Sequence, residues 1–310
     1  MSAKTHTGVG RTGMRKQHVS VEFDSTGPVE IIILILLGAT MLLPFLWLVL
    51  SALKTRAELV AVPPIWIPKT PQWQNFVAVF REVPLLKFYR NSFITAGGIT
   101  LSVVITSAMA GFALAKYDFR GRDVVFNGIL ATMMLPAFIF VIPVYYMMRR
   151  VPFAGGNNWM GLGGHGLLHS HLAMILPFAA SGWGIFLMRQ FMMGIPDSLL
   201  DAARIDGASE ARLFFGIILP LTKPALATVA IFTFITHWNN LFWPLIVSTS
   251  APELTTLTVG LKMLSMSFDP NRNAHLILAG LTVGILPVVA LFASLQGYYV
   301  KGMVMSGIKE

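Results

Sequence analysis

The stretch LLDAARIDGASEARLFFGIILPLTKPAL, residues 199–226, decides how this chain is read. It lies between two long apolar runs, yet it carries three acids (Asp201, Asp206, Glu210) and three bases (Arg204, Arg212, Lys223). Ser198-x-x-Asp201, just after Pro196, has the spacing of a capping box and predicts the start of a short helix. Asp206-Gly207 is a turn signal, and Gly207 is free to take a positive φ. Ser209 predicts the cap of a second helix, whose face Leu213, Phe214, Ile217, Ile218 and Leu221 is apolar. Pro220 and Pro224 predict the end of that helix. The expectation is a helix-turn-helix, charged outward, apolar on its inner face, and shaped to dock into a groove on a partner.

The rest of the chain says what the element lies on. Of 310 residues, 55% are hydrophobic and only 12% charged, with mean hydropathy +0.68. That is too little charge to cover a soluble domain of this size. Apolar runs fall at about 30–53, 91–115, 124–148, 172–191, 224–248 and 276–300. Each is long enough to cross about 30 Å of hydrocarbon at about 1.5 Å per residue. The expected fold class is therefore all-α integral membrane: six transmembrane helices, with the helix-turn-helix (193–223) between spans four and five. Residues 1–29, polar and basic, are expected to be a disordered tail, and residues 30–310 the transmembrane domain. The first run is too long for the apolar core of a signal peptide and is kept as a span.

Lys and Arg set the orientation. With the N-terminus inside, thirteen of the 23 fall on the inner side and ten on the outer, six of these spread along one long loop. The expectation is that both termini, and with them residues 199–226, are cytoplasmic. The first outer loop, AVPPIWIPKTPQWQNF, is barred from regular helix by its prolines, and Trp66 and Trp73 suit the headgroup region. The second, residues 151–171, is rich in glycine. His165, His169 and His171 lie in it, but with no acid near them in sequence a metal site is not expected, since zinc needs three or four converging ligands.

Several function classes are excluded or disfavoured. No Asp, Glu, Lys or Arg lies inside a span, which argues against a proton-coupled carrier or a voltage sensor. There is no Gly-Lys dipeptide, hence no P-loop for ATP. There is no cysteine for a disulfide, thiolate ligand or nucleophile. Neither H-E-x-x-H nor G-x-S-x-G is present, so a polytopic membrane enzyme lacks its signature. A passive channel would leave the charged element without a purpose. The basic residues form no single stripe, so nucleic acid is not an expected partner. Small residues at helical spacing (Gly98, Ser102, Thr106, Ala110; Ser107, Gly111, Ala115; Gly280, Gly284) predict close helix packing. His237, Asn239 and Asn240 stand near the middle of the fifth run, where unpaired polar groups are costly. They either line a solute path or bond neighbouring helices. Trp238 and Trp243 could stack on sugar rings, and interface anchoring serves Trp243 equally well.

At residues 201–220 the sequence resembles the EAA loop of ABC-importer permeases, E-A-A-x-x-x-G, nine residues, then I-x-L-P. The matching positions are Asp201-Ala202-Ala203, Gly207 and Ile217-Ile218-Leu219-Pro220, with the fuller run ARIDGAS. IPKTPQWQNF, YDFRGRD, HWNNLFWPLIV, LTTLTVGL and QGYYVKGMVMSGIK are also similar to the carbohydrate-importing branch, so the resemblance covers about residues 25–310. It is with the second permease subunit of the maltose-permease type. The resemblance implies that Asp201, Ala202, Ala203, Arg204, Asp206 and Gly207 seat in a cleft of a cytosolic ATPase, and that Leu219 and Pro220 lead the motion into the fifth span. It implies further partners: a homologous second permease, two ATPase subunits, an extracytoplasmic solute-binding protein, a sugar-like substrate and the bilayer of a bacterial or archaeal inner membrane. ATP and Mg would be bound by the ATPase, with no cofactor in this chain. Glycerol phosphate or a polyol is the alternative cargo. One departure stands out: Asp201 replaces the usual Glu and is one methylene shorter.

Overall fold

The structure is a computed structural model that describes residues 27–267 and 270–307; side chains are described within 27–266 and 274–297. Apart from its last three residues, the expected tail lies outside the described part. Every regular element among the described residues is helical. Residues up to Trp47 and residues from Leu48 onward form separate compact units.

In the first unit lies most of α1 (Pro28–Ala52). Pro28 stands at its first position, where a missing N–H costs nothing. Its Leu and Ile residues from 31 to 37 are all exposed, and none of its most apolar window is buried within the chain.

The second unit opens with α2 (Arg56–Leu59), which carries a complete capping box: Thr55 accepts from the Glu58 amide, and the Glu58 carboxylate accepts from Thr55. The prolines keep residues 61–71 irregular, but α3 (Gln74–Glu82) follows directly. Then comes α4 (Leu85–Lys116), unbroken for 32 residues. It packs along α8 and α12 below. Gly111 makes this possible: a Cβ there would stand 2.7 Å from the Met188 Cβ and 3.0 Å from the Arg189 amide. The small-residue stripes thus work as packing faces.

The third apolar run is broken. It forms α5 (Arg122–Met133) and, after a 3-10 turn at 137–140, α6 (Val141–Arg149), bent by 93°. Pro136 sits at the bend and drives Leu135 out of helical backbone. The fourth run is α7 (Leu172–Ile175) with a 3-10 turn, then α8 (Gly182–Met193) at 46°. Next come α9 (Asp197–Ile205), α10 (Glu210–Leu213), a π-helical segment over Phe214–Ile218, α11 (Leu219–Leu221) and α12 (Lys223–Trp238). The fifth run stops at Trp238, and α13 (Phe242–Ser250) is a separate helix. The chain ends in α14 (Leu257–Ser267), unforeseen from the sequence, and α15 (Pro270–Gly307). Among the described residues, three helices are long and apolar enough to cross a membrane, or up to six if each bent pair counts as one span.

Candidate functional site

Two places carry the features singled out in the sequence. The first is the charged element. Its entry differs from expectation. No capping box forms at Ser198; Pro196 precedes the helix with φ −61° and ψ 134°, and Asp197 is already its first residue. Pro196 sets the entry two residues earlier than the Ser198 pattern, and Ser198 falls inside the helix. At the other end Gly207 has φ +77°. Its amide donates to the Arg204 carbonyl and that of Ala208 to the Ala203 carbonyl, both at 3.0 Å, closing the carbonyls left over at the end of α9. Ser209 caps α10 as expected, accepting from Arg212 N at 3.3 Å.

Arg204 organises the turn. Its Nη1 donates to Asp201 at 3.3 Å, and its Nε donates to Glu210 at 3.0 Å. The Tyr117 hydroxyl, from the end of α4, donates to the same Glu210. Arg204 first, then Tyr117, hold the Glu210 carboxyl below its usual range, while burial and Glu210 push the Tyr117 phenol up. Asp201, Ala202, Asp206 and Gly207 are exposed, and Ala203 and Arg204 half-buried. The inner face is as expected except at Leu221, which is exposed: Leu213 and Ile218 are fully buried, and they pack with Leu200, Phe112, Met188 and Met192.

Pro220 does not end the helix. The chain widens to a π turn over 214–218 and passes through Leu219–Leu221; the 75° bend comes at Thr222. A proline has no N–H for the preceding turn, and a π segment absorbs that mismatch without a break.

The second place is a cleft of about 440 Å³ where three helix breaks converge. Ala137, Phe138, Phe140, Val141 and Val144 come from the break in the third run. Pro177 and Phe178 come from that in the fourth, and Asn240, Phe242 and Trp243 from that in the fifth. Its walls are aromatic, and Asn240 is their one amide; no ionisable residue lines them. Asn240 Oδ1 accepts from Phe242 N at 3.1 Å. The other sequence candidates are placed differently from one another. Asn239 is exposed. His237 stands behind Phe178, ring centroids 5.0 Å apart, its Nδ1 buried without a partner. Trp238 is not brought to the cleft. It is 3% exposed, stacked on Phe234, and its indole donates to the Gly284 carbonyl at 3.1 Å. These residues sit at the end of a helix and the break after it, where the sequence pointed to the middle of a span. The Asn239-Asn240 pair competes for backbone hydrogen bonds and ends the helix there.

Residues 103–305 match the family model of the binding-protein-dependent transport system inner membrane component. The chain belongs to this family. Among curated relatives, the arabinooligosaccharide transport permease AraQ of Halalkalibacterium halodurans is 34% identical over 269 residues, 86% of this chain and 90% of that one. The glycerol-3-phosphate transport permease UgpE of Escherichia coli is 31% identical, over 88% of this chain and 94% of that one. A chain of a solved bacterial ABC transporter for alginate import superposes with TM-score 0.73 at 24% identity, covering 87% and 95%; it shares the fold.

The glycine-rich loop of this permease is ordered by Asn157. Its amide donates to the Arg149 and Val151 carbonyls at 2.8 and 3.0 Å, and its Oδ1 accepts from Gly164 N. His169 has an acid neighbour after all: Nδ1 lies 3.2 Å from Glu253, a partner more than eighty residues away in sequence. Asn91 was also not singled out. It is fully buried, donates to the Glu253 and Thr255 carbonyls at 2.9 Å each, and accepts from His171 Nε2 at 3.1 Å. Its only sequence signal is an amide at the edge of an apolar run.

Proposed function

We propose that this permease is the membrane subunit of an ATP-driven importer that passes a neutral saccharide across the inner membrane. It would cross six times, each bent pair counted once, with both termini and the 197–213 element in the cytoplasm. A solute-binding protein would deliver the cargo from outside. A homologous permease would complete the path, and two ATPase subunits, holding ATP and Mg, would seat the α9–α10 turn. Relatives that transport arabinooligosaccharides or glycerol 3-phosphate set the range of cargo.

The observation that carries the choice is the cleft. Discontinuous helices are where membrane carriers place their cargo. Aromatic faces with a single amide suit the apolar faces of sugar rings. A phosphate would need a cation or a converging set of N–H donors, and no Lys or Arg lines this wall. The test is uptake by the reconstituted importer with its own binding protein. A neutral oligosaccharide should compete for transport and glycerol 3-phosphate should not; the reverse pattern would overturn the cargo class. Purification of the tagged wild type should bring down an ATPase and a second permease, and Gly207→Pro should lose the ATPase alone. Wild type recovered by itself would overturn the importer reading.

A further inference from the structure

We propose that α4 is a strut that transmits between the two ends of the permease, joined at one end to the α9–α10 element and at the other to the loops around His171 and Glu253. This rests on the importer reading above.

The lower joint is built from two adjacent residues. Lys116, the last residue of α4, has a side chain only 2% exposed. Its Nζ donates to the Ile195 carbonyl at 2.5 Å and to Asp197 at 2.6 Å. Those two residues flank Pro196, the entry to α9. Tyr117, which follows Lys116, donates to Glu210, the first residue of α10. One end of one helix therefore holds both helices of the charged element. Lys116 is costly to bury unless paired, so this joint is not an incidental surface contact. Behind it the contact is stiff: Phe112 meets the Tyr117 ring edge-on at 5.3 Å and the Phe214 ring at 5.3 Å.

The upper joint lies 25 residues away, about 38 Å along the helix axis. Asn91 holds the Glu253 and Thr255 carbonyls and the His171 ring. Because its amide nitrogen already donates to two carbonyls, its oxygen must accept, so His171 carries hydrogen on Nε2. Ser92, next to it, accepts from Leu257 N at 2.8 Å. Between the joints α4 has no proline and no break, and it lies against α8 and α12. The third, fourth and fifth runs all bend or break midway, and α15, which is also continuous, packs mainly on α12, α14, α3 and α2. A displacement of the α9–α10 element must move α4 as one body or break the Lys116 and Tyr117 bonds. The same holds in reverse for the His171 and Glu253 loops. Lys116, Tyr117, Asn91 and Ser92 are positioning residues in this arrangement, since they act through the helix and not on the cargo.

The experiment uses the complete importer in liposomes and compares ATP hydrolysis with and without the loaded binding protein. Lys116→Met and Asn91→Ala should each assemble, keep basal hydrolysis within about twofold, and lose at least about fivefold of the stimulation by the binding protein. The double variant should be no worse than either single one, because both cut the same connection. Lys116→Arg, which keeps the donors, should restore most of the stimulation. Full stimulation in both single variants would overturn the strut, and so would losses that multiply in the double variant. Basal hydrolysis that falls in parallel with stimulation would overturn it too, since that marks simple structural damage. Wild type without ATP-dependent uptake would bring down the importer reading itself, a result separate from all of these.

Discussion

Arg204 does the work of a staple. It spans the two short helices through Asp201 and Glu210, and Tyr117 adds a third group to the same carboxylate. Asp201 is the residue at which the family pattern is altered, and its shorter side chain still reaches Arg204 at 3.3 Å. The pair is largely exposed, so its contribution to stability is small. The pH response follows from the Glu210 shift. Its folded-state carboxyl lies below the ordinary 4.5, mainly because of Arg204. Its contribution is therefore present above 4.5 and is lost as pH falls through the lower folded value. In carboxyl-carbon NMR of the glutamate-labelled chain, beside the Glu58 resonance, that of Glu210 should titrate below the usual range. It should vanish in Glu210→Gln and move back up in Arg204→Ala; a resonance unmoved by Arg204→Ala would contradict the staple. Gly207 makes a different residue-scale prediction. A Cβ there would meet nothing within 4 Å, so the constraint is its φ of +77° and not space. Gly207→Ala should then cost about 1 kcal/mol at the turn, less than Gly207→Val, read as a graded loss of ATPase capture.

At the scale of elements, much was legible and the exceptions have causes. The turn at 206–207, the Ser209 cap and the apolar face of α10 were readable because each rests on local chemistry. That the chain is built of apolar helices was readable from the length of its apolar runs. What stayed hidden were the bends, since hydropathy windows average over a proline or an Asn pair. Pro136 and Asn239-Asn240 were visible as residues, but nothing local says whether a buried helix kinks or stops. The lower joint was hidden for another reason: Lys116 and Asp197 are 81 positions apart, and pairing at that distance has no sequence period. Close packing gives an element-scale prediction. At Gly111 an added Cβ meets the Met188 Cβ at 2.7 Å and backbone at 3.0 Å, whereas at Gly98 it meets only the Ile175 side chain, its tip at 2.7 Å and its Cγ1 at 3.3 Å. A flexible side-chain tip can move and a helix backbone cannot. Gly111→Ala should therefore destabilise the purified complex by about 1–3 kcal/mol, and Gly98→Ala by much less. Equal shifts in melting temperature would contradict the close α4–α8 approach.

At the scale of the molecule, the arrangement of ends is the statement with most riding on it. The importer reading needs the α9–α10 turn and the 151–171 loop on opposite faces, and the charge count favours the turn inside. The family match makes the chain an inner membrane component of a binding-protein-dependent transport system. The chain supplies its own test, because it has no cysteine and needs no background removal. Asp206→Cys is on the exposed turn, and Trp159→Cys is on the glycine-rich loop, where Trp159 is 71% exposed. Neither substitution touches a buried contact, so both variants should fold. In sealed right-side-out vesicles a charged, membrane-impermeant maleimide should label Trp159→Cys at once and Asp206→Cys only after permeabilisation. In inverted vesicles the order should reverse. Addition of the ATPase should then shield Asp206→Cys and leave Trp159→Cys unchanged, because only the turn is seated in it. Labelling of both positions from one side would sink the six-crossing count, since an odd number of crossings must separate them. The opposite order would keep the count and invert the orientation, and with it the direction in which cargo moves.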